Sequence, residues 1–498
     1  MSLDSKIVTP VTSLEGWLVV AFVAIAFFVI ALFAYKTQKK ADSTASYFAA
    51  GRGVPWQVAC LSLVASWTWA TTTMAAGEGA YTHGFAASWY YPIGGGIGIL
   101  IAIPILNRVR KVMPYGLTFP EFIRRRIGPG AGLINAVGSV VFQAFTIWLQ
   151  IVGAGIVCRS LLGLPFRSSA IIIGVVTIAF SVANGLWGVL LTDSFQISVI
   201  VVGMSFICLF GLQHIGGAET FYNLLLAKEA TTMPLVLDPI NVPAAIAYGI
   251  PFTLGYIGYG VIEQNVWGRV WSVRTEKDFL KACVGTSLAW IPIPLMSAII
   301  GMLGLAMNVQ GEVGTDVIPL TIMTLLGKGG AVVGAIVILF ALTSTMSSCI
   351  CSIGTHIVVD FYEPYILKGK KADEKMNVKI GRWTMAIMGI VMVISTAREM
   401  SLMYINMFIN CVLPPLFIPF IYAAFWKKVN KKGLTLTMFI AMVGNVILSA
   451  MVLAGTGVGA NTPYIYSYAV SFILPIIITA VKPDTPFDYA LLGKEFHV

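Results

Sequence analysis

Long apolar runs nearly free of charge set the fold class of this chain before any motif is read. Trp17–Tyr35, Ile380–Thr396 and Leu434–Leu453 are each long enough to cross a hydrocarbon layer about 30 Å thick. Only 11% of the 498 residues are charged, whereas a soluble domain carries roughly 25%. So little charge cannot cover a water-soluble body of this length, and the reading is an all-α integral membrane protein. Hydropathy places thirteen transmembrane helices at roughly 17–36, 55–77, 86–107, 131–158, 168–186, 190–212, 241–266, 280–307, 331–358, 380–397, 402–426, 433–455 and 461–481.

The formal charge of +10 is not a nucleic-acid footprint. With these spans, 26 of the 32 Lys and Arg fall on one side of the membrane and six on the other (Lys6, Arg159, Arg167, Lys228, Lys328 and Arg398). That asymmetry is the positive-inside signal. It predicts a multi-pass protein of a cytoplasmic-type cell membrane, with the N-terminus outside and the C-terminus inside. Nucleic-acid binding would need the basic residues on one soluble face, and none is available. The first apolar segment is preceded by one Lys, set against Asp4 and Glu15, and followed by Lys36, Lys39 and Lys40, so it reads as a retained helix and not a signal peptide.

No connection is long enough for a soluble output domain. The seven cysteines lie in or at the ends of spans and read as packing residues, with no metal other than sodium expected. The chain contains no phosphate-binding Gly-Lys-Ser/Thr loop and no His-rich motif, so no enzyme or ATP motor is expected. Gly94-Gly-Gly-Ile-Gly-Ile lies inside a span and reads as helix packing.

Two spans look broken. The second reads Ser62-Leu-Val-Ala-Ser-Trp-Thr-Trp-Ala-Thr-Thr-Thr-Met74; the seventh reads Gly255-Tyr-Ile-Gly-Tyr-Gly260 and then Glu263-Gln264-Asn265. Unwound backbone inside a membrane is tolerated where it lines a cavity. The alternative for either segment is glycine permitting close helix packing. The two are five spans apart, an odd number, so corresponding elements are oppositely oriented. This predicts an inverted repeat with halves at 55–212 and 241–426, flanked by 1–54 (an extracellular segment and first helix) and 427–498 (two additional helices and a cytoplasmic tail).

Ala341, Ser344 and Thr345 share a face of the ninth span at i, i+3 and i+4. Two hydroxyls and a carbonyl there, with carbonyls of Ala65 and Thr68 from the broken second span, would make a neutral five-oxygen cage for sodium. The competing reading is hydroxyls bonding back one turn along their own helix. Among acids in or near spans, Asp193 and Asp360 are expected at cytoplasmic ends, as a helix N-cap for Asp193 or in ion pairs. Glu263 is expected nearer the midplane, where an acid is a functional candidate by default. Tyr91 and Trp187 suit an interfacial belt. Trp67 and Trp69 sit beside the presumed break and suit a tight box for a small planar or cationic solute.

These residues resemble the sodium:solute symporter family over nearly the whole chain. Asn184-Gly-Leu-Trp-Gly-Val-Leu-Leu-Thr-Asp193-Ser-Phe-Gln196 is similar to one family signature. Ala341-x-x-Ser344-Thr345, with Asp360-Phe-Tyr362 fifteen residues on, is similar to another. Ser66-Trp-Thr-Trp-Ala-Thr71, Trp290-Ile-Pro-Ile-Pro294 and Leu326-Gly-Lys-Gly-Gly-Ala-Val resemble the branch of active urea symporters. Where that branch reads Asp-Gln-x-x-x-Gln-Arg, this chain has Glu263-Gln264-Asn-Val-Trp-Gly268-Arg269. The resemblance implies a leucine-transporter-like core of five plus five helices. It also implies Na+ on Ala65, Thr68, Ala341, Ser344 and Thr345, and an ion exit past Asp193.

The expectation is secondary active, Na+-coupled symport of a small organic solute, with H+ as the alternative ion. Urea or a related small amide or amine leads; an amino acid or carboxylate is the alternative within the family. Expected solute contacts are Trp67, Trp69, Thr72, Gln143, Trp148, Tyr256 and Tyr259. The expected partners are the solute and the bilayer, with no nucleic acid. An uncoupled uniporter or channel, and a transporter-like sensor, are the competing classes.

Overall fold

The computed structural model describes residues 11–37, 43–310, 316–368, 370, 373–395, 402–459 and 461–493. Among them the only β pairing is an isolated bridge between Val54 and Val273, and nine helices are long and apolar enough to cross a membrane. Lys6, Lys39, Lys40, Arg398 and His497 lie outside the described residues.

Helix α1 (Ser13–Thr37) is followed by α2 (Trp56–Ser66), a π turn at Thr71–Ala75, α3 (Ala76–His83), α4 (Phe85–Val112), α5 (Phe119–Arg126), α6 (Pro129–Leu162) and α7 (Phe166–His214). Then come α8 (Gly217–Thr231), α9 (Ile250–Ile262), α10 (Gln264–Ser272), α11 (Glu276–Trp290), α12 (Pro292–Ala306) and α13 (Val317–His356), which runs on as a π helix to Leu367. The last four are α14 (Glu374–Ser395), α15 (Leu402–Phe425), α16 (Lys431–Leu453) and α17 (Thr462–Val481). Unbroken, the 49 residues of α7 would run about 74 Å, more than twice the hydrocarbon thickness. Gly185 breaks it at φ 58, ψ −156, and Gly327 does the same in α13 at φ 57. Only glycine takes such angles without strain.

The bundle has a large apolar core in which a set of polar side chains is enclosed, and many large apolar side chains are exposed on its outside. Helices α1, α14, α16 and α17 bury little of their surface and form an apolar rim, while α6 is the most enclosed. Thr68, Thr72, Gln143, Asp193, Glu263 and Arg269 are all buried. At the centre α13 packs on α6 and α7, α2 packs on α7 and α11, and α4 packs on α9.

One of the two expected breaks is displaced. Gly255–Gly260 is helical, and the chain opens at Glu263 (φ −76, ψ 119), between α9 and α10. The glycines serve close packing instead. A Cβ on Gly260 would lie 2.9 Å from that of Ala102, and one on Gly98 would lie 2.8 Å from the carbonyl carbon of Tyr256. The Gly94–Gly98 run is likewise a packing face, as expected. The connection after the sixth expected span contains α8, which apolar periodicity alone did not reveal.

Gly98→Val should therefore push α4 off α9 and lower stability by about 1–3 kcal/mol, read as a lower Tm of the purified protein in lipid nanodiscs. Gly329→Ala, where an added Cβ meets nothing within 4 Å, should leave Tm unchanged or raise it.

Candidate functional site

Between α2 and the π turn the backbone leaves the helix at Trp67–Trp69, and side chains take up the groups this frees. The Thr72 hydroxyl donates to the Trp67 carbonyl (3.1 Å) and accepts from the Trp69 N–H (3.2 Å). Gln150 Oε1 accepts from the Ala70 N–H (2.9 Å), and the Trp290 indole donates to the Trp67 carbonyl (3.0 Å). Thr72 is thus a clasp of the break, a different role from the expected solute contact.

The break aims carbonyls at α13. Thr345 Oγ1 lies 3.2 Å from the Ser66 carbonyl, 3.3 Å from that of Thr68 and 3.4 Å from that of Ala341. A hydroxyl has one proton, so three converging acceptors exceed what it can satisfy. They form a compact, buried, neutral oxygen cluster suited to a small hard cation. Of the five expected sodium ligands, Thr68, Ala341 and Thr345 meet here. The Ala65 carbonyl accepts from the Thr68 N–H (3.0 Å) and closes the last turn of α2. The Ser66 carbonyl, which also accepts from the Trp69 indole (2.9 Å), joins the cluster. Back-bonding does not account for the cluster, because Thr345 sits nearer the carbonyls of the neighbouring segment than its own. The Ser344 hydroxyl points elsewhere, donating to Asp193 Oδ1 (2.6 Å).

Asp193 is fully buried inside α7, eight residues beyond Gly185, so the N-cap reading is replaced. Its other oxygen accepts from Ser62 (2.6 Å) and from Arg269 Nη2 (2.9 Å). The guanidinium also reaches Ser348 Oγ (2.8 Å) and the Asn265 carbonyl (3.1 Å). Arg269 is 2% exposed, so counting it among the loop cations misplaces it. Asn265 donates to Glu263 Oε1 (2.7 Å) and accepts from Ser352 (2.7 Å). Asp360 meets the ion-pair expectation: Thr118 donates to it (2.8 Å), His356 Nδ1 lies 2.8 Å away and Arg124 3.8 Å away.

Above this network lies an aromatic box. Ring centroids are 5.8 Å apart for Trp67 and Tyr256, 5.1 Å for Trp69 and Tyr259, and 5.7 Å for Tyr256 and Tyr259. Trp290 closes one wall at 5.3 Å from Tyr256, and Phe142 another at 5.7 Å from Tyr259. Tyr91, expected at an interface, is wholly buried with its hydroxyl bonded to that of Tyr256. Trp187 is half-buried, with its indole N–H directed at Thr37. Gln143 is buried beside Phe142 with neither amide atom partnered. Trp148 packs on Phe145 and is not one of these walls. No local sequence signal marked Trp290, Phe142 or Tyr91, because the helices carrying them meet only in the folded bundle.

A bundle with a broken helix against a long hydroxyl-bearing one is the leucine-transporter-like core of secondary symporters. A Na+-coupled sialic acid symporter, solved substrate-bound and outward-open, superposes with TM-score 0.79 at 18% identity, over 95% of this chain and 99% of that one. A nucleobase-cation-symport-1 family transporter in a closed conformation follows at 0.61 and 14% identity, over 92% and 99%. Residues 47–444 match the sodium:solute symporter family, and the chain belongs to it; it is a transporter and not an enzyme. Similar proteins include the sodium/proline symporter of Staphylococcus aureus, 23% identical over 84% of this chain and 83% of its own length. The probable urea active transporter 1 of Schizosaccharomyces pombe is 21% identical over 97% and 79%.

Breaking the buried pair with Arg269→Gln should destabilise the protein by about 3–5 kcal/mol, because Asp193 is left charged without a partner. Adding Asp193→Asn should restore most of the lost Tm. A double variant no more stable than Arg269→Gln alone would contradict this account.

Proposed function

We propose that the chain is a Na+-coupled symporter of a small organic solute, urea or a related small amide or amine, working by alternating access. The reading rests most on one observation: Thr345 Oγ1 lies among the Ser66, Thr68 and Ala341 carbonyls, from two elements that separate when such a bundle opens. A cation held there joins the broken second helix to α13. Ser344 completes the cage by turning from Asp193, which is then free to receive the ion as it leaves. Solute sits in the aromatic box between the two breaks. Halves 55–212 and 241–426 rock about it, with 1–54 and 427–498 outside the moving core. Thirteen crossings place the N-terminus outside the cell membrane and the C-terminus inside. Each charge carried inward gains roughly 2.3 kcal/mol per 100 mV of membrane potential. The relatives named for proline and for urea transport support a small polar solute.

In proteoliposomes, an inward Na+ gradient should drive accumulation of radiolabelled urea. Thr345→Ala should raise the half-saturating Na+ at least about tenfold, as expected for one lost ligand. Accumulation under a proton gradient alone would replace the ion. Urea flux that ignores the Na+ gradient and is undiminished in Thr345→Ala with Ser344→Ala would point to an uncoupled carrier.

A further inference from the structure

The charges buried beneath the aromatic box do not balance. Asp193, Glu263 and Arg269 are all at most 2% exposed. Arg269 is committed to Asp193, Ser62, Ser348 and the Asn265 carbonyl. Glu263 Oε1 accepts from Asn265 (2.7 Å), the Trp67 indole lies against the carboxyl, and no ion pair forms there among the described residues. A carboxylate in a bilayer core without a counter-ion is costly, so such a group takes up either a proton or a positive partner.

The position of Glu263 says where the partner comes from. It ends α9 four residues after Tyr259 and lies beside Tyr259 and Trp67 of the aromatic cluster. The Trp67 indole N–H stands beside it and faces the carboxyl. The polar groups found around the carboxyl are N–H donors, from Asn265 and Trp67, and not the several oxygens a metal ion requires. The rings of Trp67, Tyr256 and Tyr259 cluster on this side of the carboxyl, and aromatic faces attract a cation.

We propose that Glu263 is the residue that selects the solute, and that the class selected is a small organic cation bearing N–H donors: an ammonium, amidinium or guanidinium. The N–H⁺ group pairs with Glu263 Oε2, the aromatic rings cover its flat or alkyl part, and the solute supplies the missing positive charge. This rests on the symport reading and narrows its amide-or-amine class to the charged members.

The test compares molecules of one shape and different charge. Purified full-length protein in lipid nanodiscs is titrated at fixed Na+ with guanidinium against urea, and with acetamidinium against acetamide, reading thermal protection. The apparent Kd of each cation should be about tenfold below that of its neutral partner, the ratio expected when a charge-assisted hydrogen bond replaces a neutral one. Glu263→Gln should abolish the difference, with protection by Na+ showing that the variant is folded. Glu263→Asp should keep the preference at weaker affinity.

Equal affinities in the wild type, or a preference that survives Glu263→Gln, would overturn the proposal. So would tighter binding of the neutral member as pH falls, since the carboxyl would then be carrying a proton. Protection by Na+ but by none of the four solutes would overturn the cationic site and leave symport standing. Cation preference with no Na+ effect would uphold the site and remove sodium as the coupling ion.

Discussion

Water cannot rescue a broken helix in the middle of a bilayer, and the site depends on how this chain meets that constraint. Three residues, Trp67–Trp69, leave the helix. Their freed groups are taken by Thr72, Gln150, Trp69 and Trp290, from the segment itself and from two other helices. The carbonyls of Ser66, which also accepts from the Trp69 indole, and of Thr68 are aimed at the Thr345 hydroxyl of α13. The cluster exists only while the break and α13 are in register, so a cation held there, as proposed, would also report the conformation of the bundle.

Electrostatics extends that coupling. Asp193 holds the Ser344 hydroxyl with one oxygen and Arg269 with the other. The guanidinium bonds in turn to Ser62 on the broken helix and Ser348 on α13. Three elements that rocking would separate are therefore pinned by one ion pair in a low-dielectric interior, where single-residue changes leave charges unmet. Glu263 stands at the edge of this cluster without a cation of its own, which makes the region beneath the box a place where an incoming charge matters.

Much of this was legible in one dimension. Periodic apolar runs marked the spans, the hydroxyl-rich stretch at 66–73 marked the first break, and Ala341, Ser344 and Thr345 at i, i+3 and i+4 marked the face that meets it. The second break was misplaced because glycine has two opposed uses. At Gly255–Gly260 it allows α4 and α15 to approach a helix that stays wound, whereas the chain opens three residues later at a glutamate. Arg269 was read as a loop cation because charge in a span is rare and its partner lies 76 positions away in sequence.

The sequence by itself determined that the protein lives in a membrane, that it is all-helical, which family it resembles and which hydroxyls could hold an ion. These follow from hydropathy and from residues within a turn or two of each other. Only the tertiary structure decided which carbonyls stand opposite Thr345, that Ser344 faces Asp193, that Trp290, Phe142 and Tyr91 wall the box, and that Glu263 is buried beside Trp67 without an ion pair. Each of these depends on contacts between helices far apart along the chain. Their register is set by packing at glycines such as Gly98 and Gly260, which no local pattern encodes.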